Sequence, residues 1–342
     1  MKGRLQMRRQ SGLTLVELMV AMTLSMVLLA GVMVLFSGNK ISYRMQEGLS
    51  AIQDSGRYAM AQIKRDIESS GFGGCLTEDL KVDIKPILAI YGSVVPAYVG
   101  EFQNGIRITA DNDVSGADVD GEAVVDGTDV LQIRGLMGGT VFYAAQRMFP
   151  NNPITLLGDA TDEFATDDYA VLSDCSGADI VQVAADPTFA DNKTTITHLP
   201  TLLSRKFGSD SELAALSLRT YFIGTSAGVN NSGAAVRALY RSDGTTVQEI
   251  VQGVEDMQIL FGVDTNADGV ADAFQAPDAV ADWSGVVNVQ VSLLVNSIDN
   301  TTEEAAQYIF RPDDPAPQLP ATDDRLMRQE YTAVMTLRNN VL

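Results

Sequence analysis

The sequence predicts an α+β protein: a long N-terminal α-helix, apolar then amphipathic, packed on a β-rich globular head. Three observations predict it. Residues 13 to 36 form an unbroken apolar run, residues 37 to 70 repeat apolar side chains every three or four places, and from residue 71 short β-prone runs alternate with Gly, Asn and Asp clusters. The chain therefore divides into a prefix (1–12), an apolar half-helix (13–36), an amphipathic half-helix (37–70) and a head (71–342).

The apolar run, LTLVELMVAMTLSMVLLAGVMVLF, holds 24 residues of which Glu17 alone is charged. As a helix it extends about 36 Å, against a hydrocarbon layer of about 30 Å, so it is long enough to cross a membrane with some tilt. Leu, Met and Ala favour helix, and the first proline is Pro86. The prefix carries Lys2, Arg4, Arg8 and Arg9 without an acid. Few basic residues follow the run, which places the amino terminus in the cytoplasm and the body across the membrane. A cleaved secretory signal has an apolar core of about 7–15 residues ending in small residues. This run is longer, and its end, Val34-Leu35-Phe36-Ser37-Gly38, lacks that ending. Glu17 needs a reason to be there, because a carboxylate deep in a bilayer costs about 2.5–3.5 kcal/mol.

Past the run, Ile41, Met45, Leu49, Ile52, Ala59, Ile63 and Ile67 fall on one helical face. Arg44, Gln46, Gln53, Asp54, Arg57, Lys64 and Asp66 fill the other, and Gly71, Gly73 and Gly74 stop the helix after about 55 residues. Gly31, Gly38, Gly48 and Gly56 each weaken it by up to about 1 kcal/mol, serving either bending or close packing.

In the head, Ile106–Ile108, Asp129–Ile133, Tyr169–Leu172 and Val286–Val295 read as strands. In the last, Val287, Val289 and Val291 alternate with Asn288, Gln290 and Ser292. A helix is expected near Asp210–Leu216, an exposed loop over 311–324 and a final strand at Tyr331–Leu337. Nothing forces a second domain.

The formal charge of −20 excludes a nucleic-acid partner, which would need clustered Lys and Arg. Cys75 and Cys175 lack the clustered spacing of a zinc site. In a cytosolic chain they read as buried thiols; in an exported body, as a disulfide. The stretch from Asp264 to Asp272 reads D-x-N-x-D-G-x-x-D. Asp264, Asn266 and Asp268 offer side-chain oxygens, Val270 a carbonyl and Asp272 a direct or water-mediated contact, a set that suits Ca²⁺. The twelfth place is Gln275 rather than a bidentate glutamate, and a polar turn would use the same residues. No cofactor is required.

The order Ser11-Gly12-Leu13-Thr14-Leu15-Val16-Glu17-Leu18 behind a short basic prefix resembles the type IV prepilin signal. That resemblance implies cleavage after Gly12 by a prepilin peptidase on the cytoplasmic side. It also implies a methylated amine on Leu13, with Glu17 as the fifth residue of the mature chain. Leucine is a mild departure from the phenylalanine many members carry there. In a filament the amine of one subunit and the Glu17 carboxylate of a neighbour would pair at low dielectric. Desolvation offsets much of that attraction, so the pair acts chiefly as a register device.

The head is similar to PilW-type minor pilins in several segments. These are Gly71-Phe72-Gly73-Gly74-Cys75, Ser173-Asp174-Cys175, Leu239-Tyr240-Arg241, Val251–Gln258 running into Phe261–Asp264, Trp283 with Val286–Val289, and Leu337–Asn340. The resemblance implies a type IV pilin-like fold, pairing of Cys75 with Cys175, and a role in starting assembly or at the pilus tip. Its implied partners are other minor pilins and the major pilin through the helix, a tip adhesin, and the inner membrane. The head would lie in the periplasm of a Gram-negative bacterium before joining an extracellular pilus. A minor pseudopilin of a type II secretion system shares the leader and Glu17 but not the head segments. A membrane-tethered binding module or enzyme is the third reading. Enzymatic motifs are absent: no G-x-S-x-G, phosphate loop or H-E-x-x-H occurs, and the single histidine, His198, reads as a surface residue.

Overall fold

The structure is a computed structural model and describes residues 14–70, 96–103, 108–136, 140–174, 176–302, 304–305, 307–308, 310 and 324–337. Helix α1 spans Leu15–Ser69, 55 residues, and leaves the helical path at Ser70, whose N–H donates to the Ile67 carbonyl. Thr14 caps its start. Helix α2 is a single short segment, Ala97–Gln103.

Five antiparallel strands form a first sheet in the order Ile108–Asp111, Val130–Gly135, Ser217–Val229, Ala235–Ser242 and Val247–Gln252. A second sheet runs Ala273–Gln275, Val254–Val263, Val286–Asn296 and Arg328–Thr336. The helix packs on both. Ile52, Ala59, Ile63 and Ile67 enter a core with Leu131, Ile133, Tyr221 and Ile223 from the first sheet and Ile259, Phe261, Val291 and Met335 from the second. Asp129 ties these sheets together: it is fully buried, and its two carboxylate oxygens accept from Asp113 N–H (2.8 Å) and Ile259 N–H (2.7 Å).

Residue pairing places Gly135 opposite Ser217. The chain between them is thus an excursion that departs and returns at neighbouring points of one sheet. It holds a third sheet ordered His198–Leu199, Ala178–Val183, Tyr169–Ser173, Glu212–Ala215 and Phe142–Tyr143, and a three-stranded one of Ile154–Leu157, Lys193–Ile196 and Thr188–Ala190. Its apolar side chains form their own core, with Ile154, Leu156, Leu172, Val181, Phe207 and Leu213. On the other face of the third sheet, Val171, Ile180 and Ala214 pack with Val99 and Phe102 of α2.

The strands predicted at Asp129–Ile133, Tyr169–Leu172, Val286–Val295 and Tyr331–Leu337 are present with shifted ends. The helix expected at Asp210–Leu216 is not. Glu212–Ala215 is a strand held between Tyr169–Ser173 and Phe142–Tyr143, with Leu213 buried in one core and Ala214 in the other. Pairing on both edges and burial on both faces override the helical preference of Glu-Leu-Ala-Ala-Leu. The alternation read in Val286–Val295 also breaks at Ser292, which is fully buried and shares a hydrogen bond with Thr332 Oγ1 at 2.9 Å.

Candidate functional site

The apolar half of α1 meets nothing in its own chain. Among the described residues it is the one helix long and apolar enough to cross a membrane, and its most apolar window is entirely unburied. Leu15, Met26, Val34 and Phe36 stand in the open, and a methyl group added at Gly31 or Gly38 would find no atom within 4 Å. Burying such a surface is strongly favourable. The segment therefore needs lipid or other helices around it.

Glu17 sits at the third position of α1. Thr14 N–H donates to Glu17 Oε2 (3.0 Å), the Thr14 hydroxyl donates to the same oxygen (3.0 Å), and Glu17 N–H returns a bond to Thr14 Oγ1 (3.3 Å). This reciprocal capping box satisfies two helix-end N–H groups. The carboxylate thus has a local task that the sequence reading missed, although Thr14-Leu15-Val16-Glu17 is the [ST]-x-x-E pattern.

The second half of α1 is seated on the head by three devices. Gly48 is buried, and a Cβ there would lie 2.8 Å from Thr301 Cγ2. Gly56 is buried too, and a Cβ there would overlap the ring of Tyr331. Close packing, not bending, is what these two glycines serve. Nearer the helix end, Asp66 is only 2% exposed; Arg219 pairs with its Oδ1 and Tyr221 Oη donates to its Oδ2 at 2.6 Å. Burial first, and the Asp66 carboxylate second, push the Tyr221 hydroxyl well above its usual range, so it remains a donor.

Three side chains are thereby corrected. Asp66 belongs to the buried face rather than the polar one, because the head supplies it with two donors. Met45 and Leu49, expected on the buried face, are exposed. The stripe runs back from Ile52 through Gly48, four residues away, instead of through Leu49; a glycine carries no apolar signal, so periodicity alone points to the leucine.

The loop from Asp264 to Asp272 closes on itself. Asp264 accepts from the N–H groups of Asn266, Ala267 and Gly269, Asn266 Oδ1 from Asp268 N–H, Asp268 Oδ1 from Val270 N–H, and Asp272 from Thr265 N–H and hydroxyl. These bonds hold the Asp264 and Asp272 carboxyls below their ordinary range, led by the Gly269 N–H and the Thr265 hydroxyl respectively. Among the described residues no three His, Cys, Asp or Glu side chains stand together as a metal would require. His198 is buried rather than superficial, its ring nitrogens facing the carbonyls of Pro200 (2.6 Å) and Asn152 (3.1 Å). Gly12, Leu13, Cys75 and Cys175 lie outside the described residues.

Two family models match. Residues 7–33 match the prokaryotic N-terminal methylation motif, and residues 220–339 match Type IV Pilus-assembly protein W. No curated protein matches. The first match covers most of the apolar half of α1; the second covers most of the strands on which the helix is seated, from within Ser217–Val229 through Arg328–Thr336, and leaves Val130–Gly135 and the excursion outside. A long helix carrying an N-methylation motif on a β-rich head is the α+β architecture of a type IV pilin-like protein. Over the head strands the chain is similar to the PilW type, and the two matches together support a type IV pilin of that type.

Proposed function

We propose that the protein is a minor pilin, cut by prepilin peptidase between Gly12 and Leu13, stored in the inner membrane with its head in the periplasm, and incorporated into a type IV pilus at its tip or during the start of assembly. One observation carries this reading: the apolar half of α1 is wholly unburied, while the rest of the same helix is fixed into the head. Such a part serves as a plug for a bundle of like helices, and its partners are other pilins together with the membrane. The head segments favour a pilus over a secretion pseudopilus. A structural role leaves no need for catalysis or a cofactor.

Glu17 then has two tasks, capping its own helix and receiving the Leu13 amine of a neighbour. They separate by mutation. Thr14→Ala removes only the cap, which costs about 1 kcal/mol of helix-end stability. Filaments are sheared, and the subunit is quantified and its amino terminus read by mass spectrometry. The expected result is a methylated Leu13 terminus, near-normal incorporation of Thr14→Ala, and loss of Glu17→Ala from the filament. Equal incorporation of Glu17→Ala and the unaltered protein would falsify the register role, and a terminus other than Leu13 would remove the processing step. For the Asp264–Asp272 loop we propose a polar turn open to Ca²⁺; absence of heat on titrating the full chain with millimolar Ca²⁺ leaves only the turn.

A further inference from the structure

Where the helix leaves the apolar run, a cavity of about 330 Å³ opens between α1 and the head. Arg44, Asn231, Ser232, Asn300, Thr302 and Arg325 line it. Its position follows from Gly48: the missing side chain lets Ser297 and Thr301 close on α1 one turn beyond Arg44.

The lining is rich in donors. Asn300 Oδ1 accepts from Arg325 N–H (2.9 Å), and Asn231 Oδ1 from Asn300 N–H (3.3 Å), so both amide oxygens are engaged by backbone. Among the described residues, the Nδ2 groups of both asparagines and the guanidinium groups of Arg44 and Arg325 have no acceptor. Neither arginine belongs to an ion pair among those residues, although the head is strongly acidic. Asp299 stands at the edge, but one of its carboxylate oxygens already holds the Asn231 N–H at 2.8 Å. Two cations and two amides facing one cavity suit an anion with several acceptor oxygens, as phosphate has.

Location decides which phosphate. Arg44 lies eight residues beyond Phe36, about 12 Å along the helix. Helical side chains lean toward the N-terminus, here toward the membrane. A headgroup layer about 5–7 Å deep covers much of the interval, and the length of an arginine side chain covers the rest. We infer that this pocket holds the phosphate of an anionic phospholipid headgroup while the subunit is stored in the membrane. The site steadies the head against the bilayer and is emptied when the helix is drawn into a filament. It rests on the reading that the apolar half of α1 spans the membrane.

The test uses the full chain in zwitterionic detergent. Phosphatidylglycerol is titrated in and the lipid-bound fraction read by native mass spectrometry, with phosphatidylcholine and inorganic phosphate run in parallel. Phosphatidylglycerol is expected to bind more tightly than phosphatidylcholine. Arg44→Gln and Arg325→Gln should each weaken it about tenfold, the loss of one charge-assisted contact. Arg44→Lys and Arg325→Lys should retain part of the affinity, which guards against misfolding. Arg147→Gln, an exposed arginine in the excursion, should change nothing. Equal retention of the two lipids, or an equal loss with Arg147→Gln, overturns the pocket. Inorganic phosphate binding without lipid retention overturns the lipid assignment. Membrane insertion is read separately by resistance to carbonate extraction, so a failure of the spanning reading is distinguishable from a failure of the pocket.

Discussion

The two halves of α1 share one backbone and use glycine in opposite ways. In the apolar half, Gly31 faces open space, as does Gly38 just beyond it, and the apolar side chains around them await an external partner. In the lower half, Gly48 and Gly56 are notches into which Thr301 and Tyr331 fit, and the final turn is locked by a buried carboxylate. The same residue type marks a surface kept free in one half and a surface already spent in the other. The helix is therefore a fixed stem below and an uncommitted plug above.

The largest break in that contrast should come from Asp66→Ala. It strands Arg219 and leaves the Tyr221 hydroxyl without its acceptor. Removing one member of a buried pair costs about 3–5 kcal/mol, and the low end applies because the Arg219 side chain is 21% exposed. Chemical denaturation of the full chain in detergent would read it, and a loss below about 1 kcal/mol would show that the lock is idle. Gly56→Ala comes next, at about 1–3 kcal/mol, from the clash with Tyr331. Restoration by Tyr331→Ala in the same background would establish the notch.

A pH scan sharpens the comparison further, because it should act on the head that holds the stem and not on the plug. Burial raises the Asp129 carboxyl to about 7, the neighbouring carboxylates of Asp113 and Asp256 adding to it against two backbone donors. A raised folded value favours the protonated form. The associated stability is thus complete below about 4 and is lost as pH climbs toward about 7. The melting temperature of the head should fall by several degrees across that window, and Asp129→Asn should flatten the fall. Asp243 acts elsewhere on the scale. Although burial pushes it up, the Thr245 and Thr246 donors hold it at about 2, so its contribution disappears only as pH drops from about 4 toward 2. The smallest effect belongs to Gly31→Ala, which should leave head stability within about 0.5 kcal/mol, as expected where a new methyl group meets nothing.

Periodicity made the helix, its length and its two characters legible, as did the alternation that marks Val286–Asn296. The spacing of Thr14 and Glu17 held the capping box as well, although a lone charge in an apolar run points equally to a partner in another subunit. What stayed hidden depends on residues distant in sequence. Asp66 looks like a surface acid until Arg219 and Tyr221 arrive from 153 and 155 residues away. Glu212–Ala215 has the composition of a helix until two strands claim its edges. The donor pocket behind Arg44 exists only because 231–232, 300–302 and 325 converge on one turn of α1.

Because the chain leaves the first sheet at Gly135 and rejoins it opposite, at Ser217, the polypeptide between them lies off the line of tension. A pull on the plug travels down the stem into the two sheets bearing Tyr331, Arg219 and Tyr221, and bypasses the outlying lobe. That lobe can be enlarged, trimmed or exchanged while any load on the helix is borne by the same few strands. The outlying lobe can thus be refitted without rebuilding the mooring of the helix.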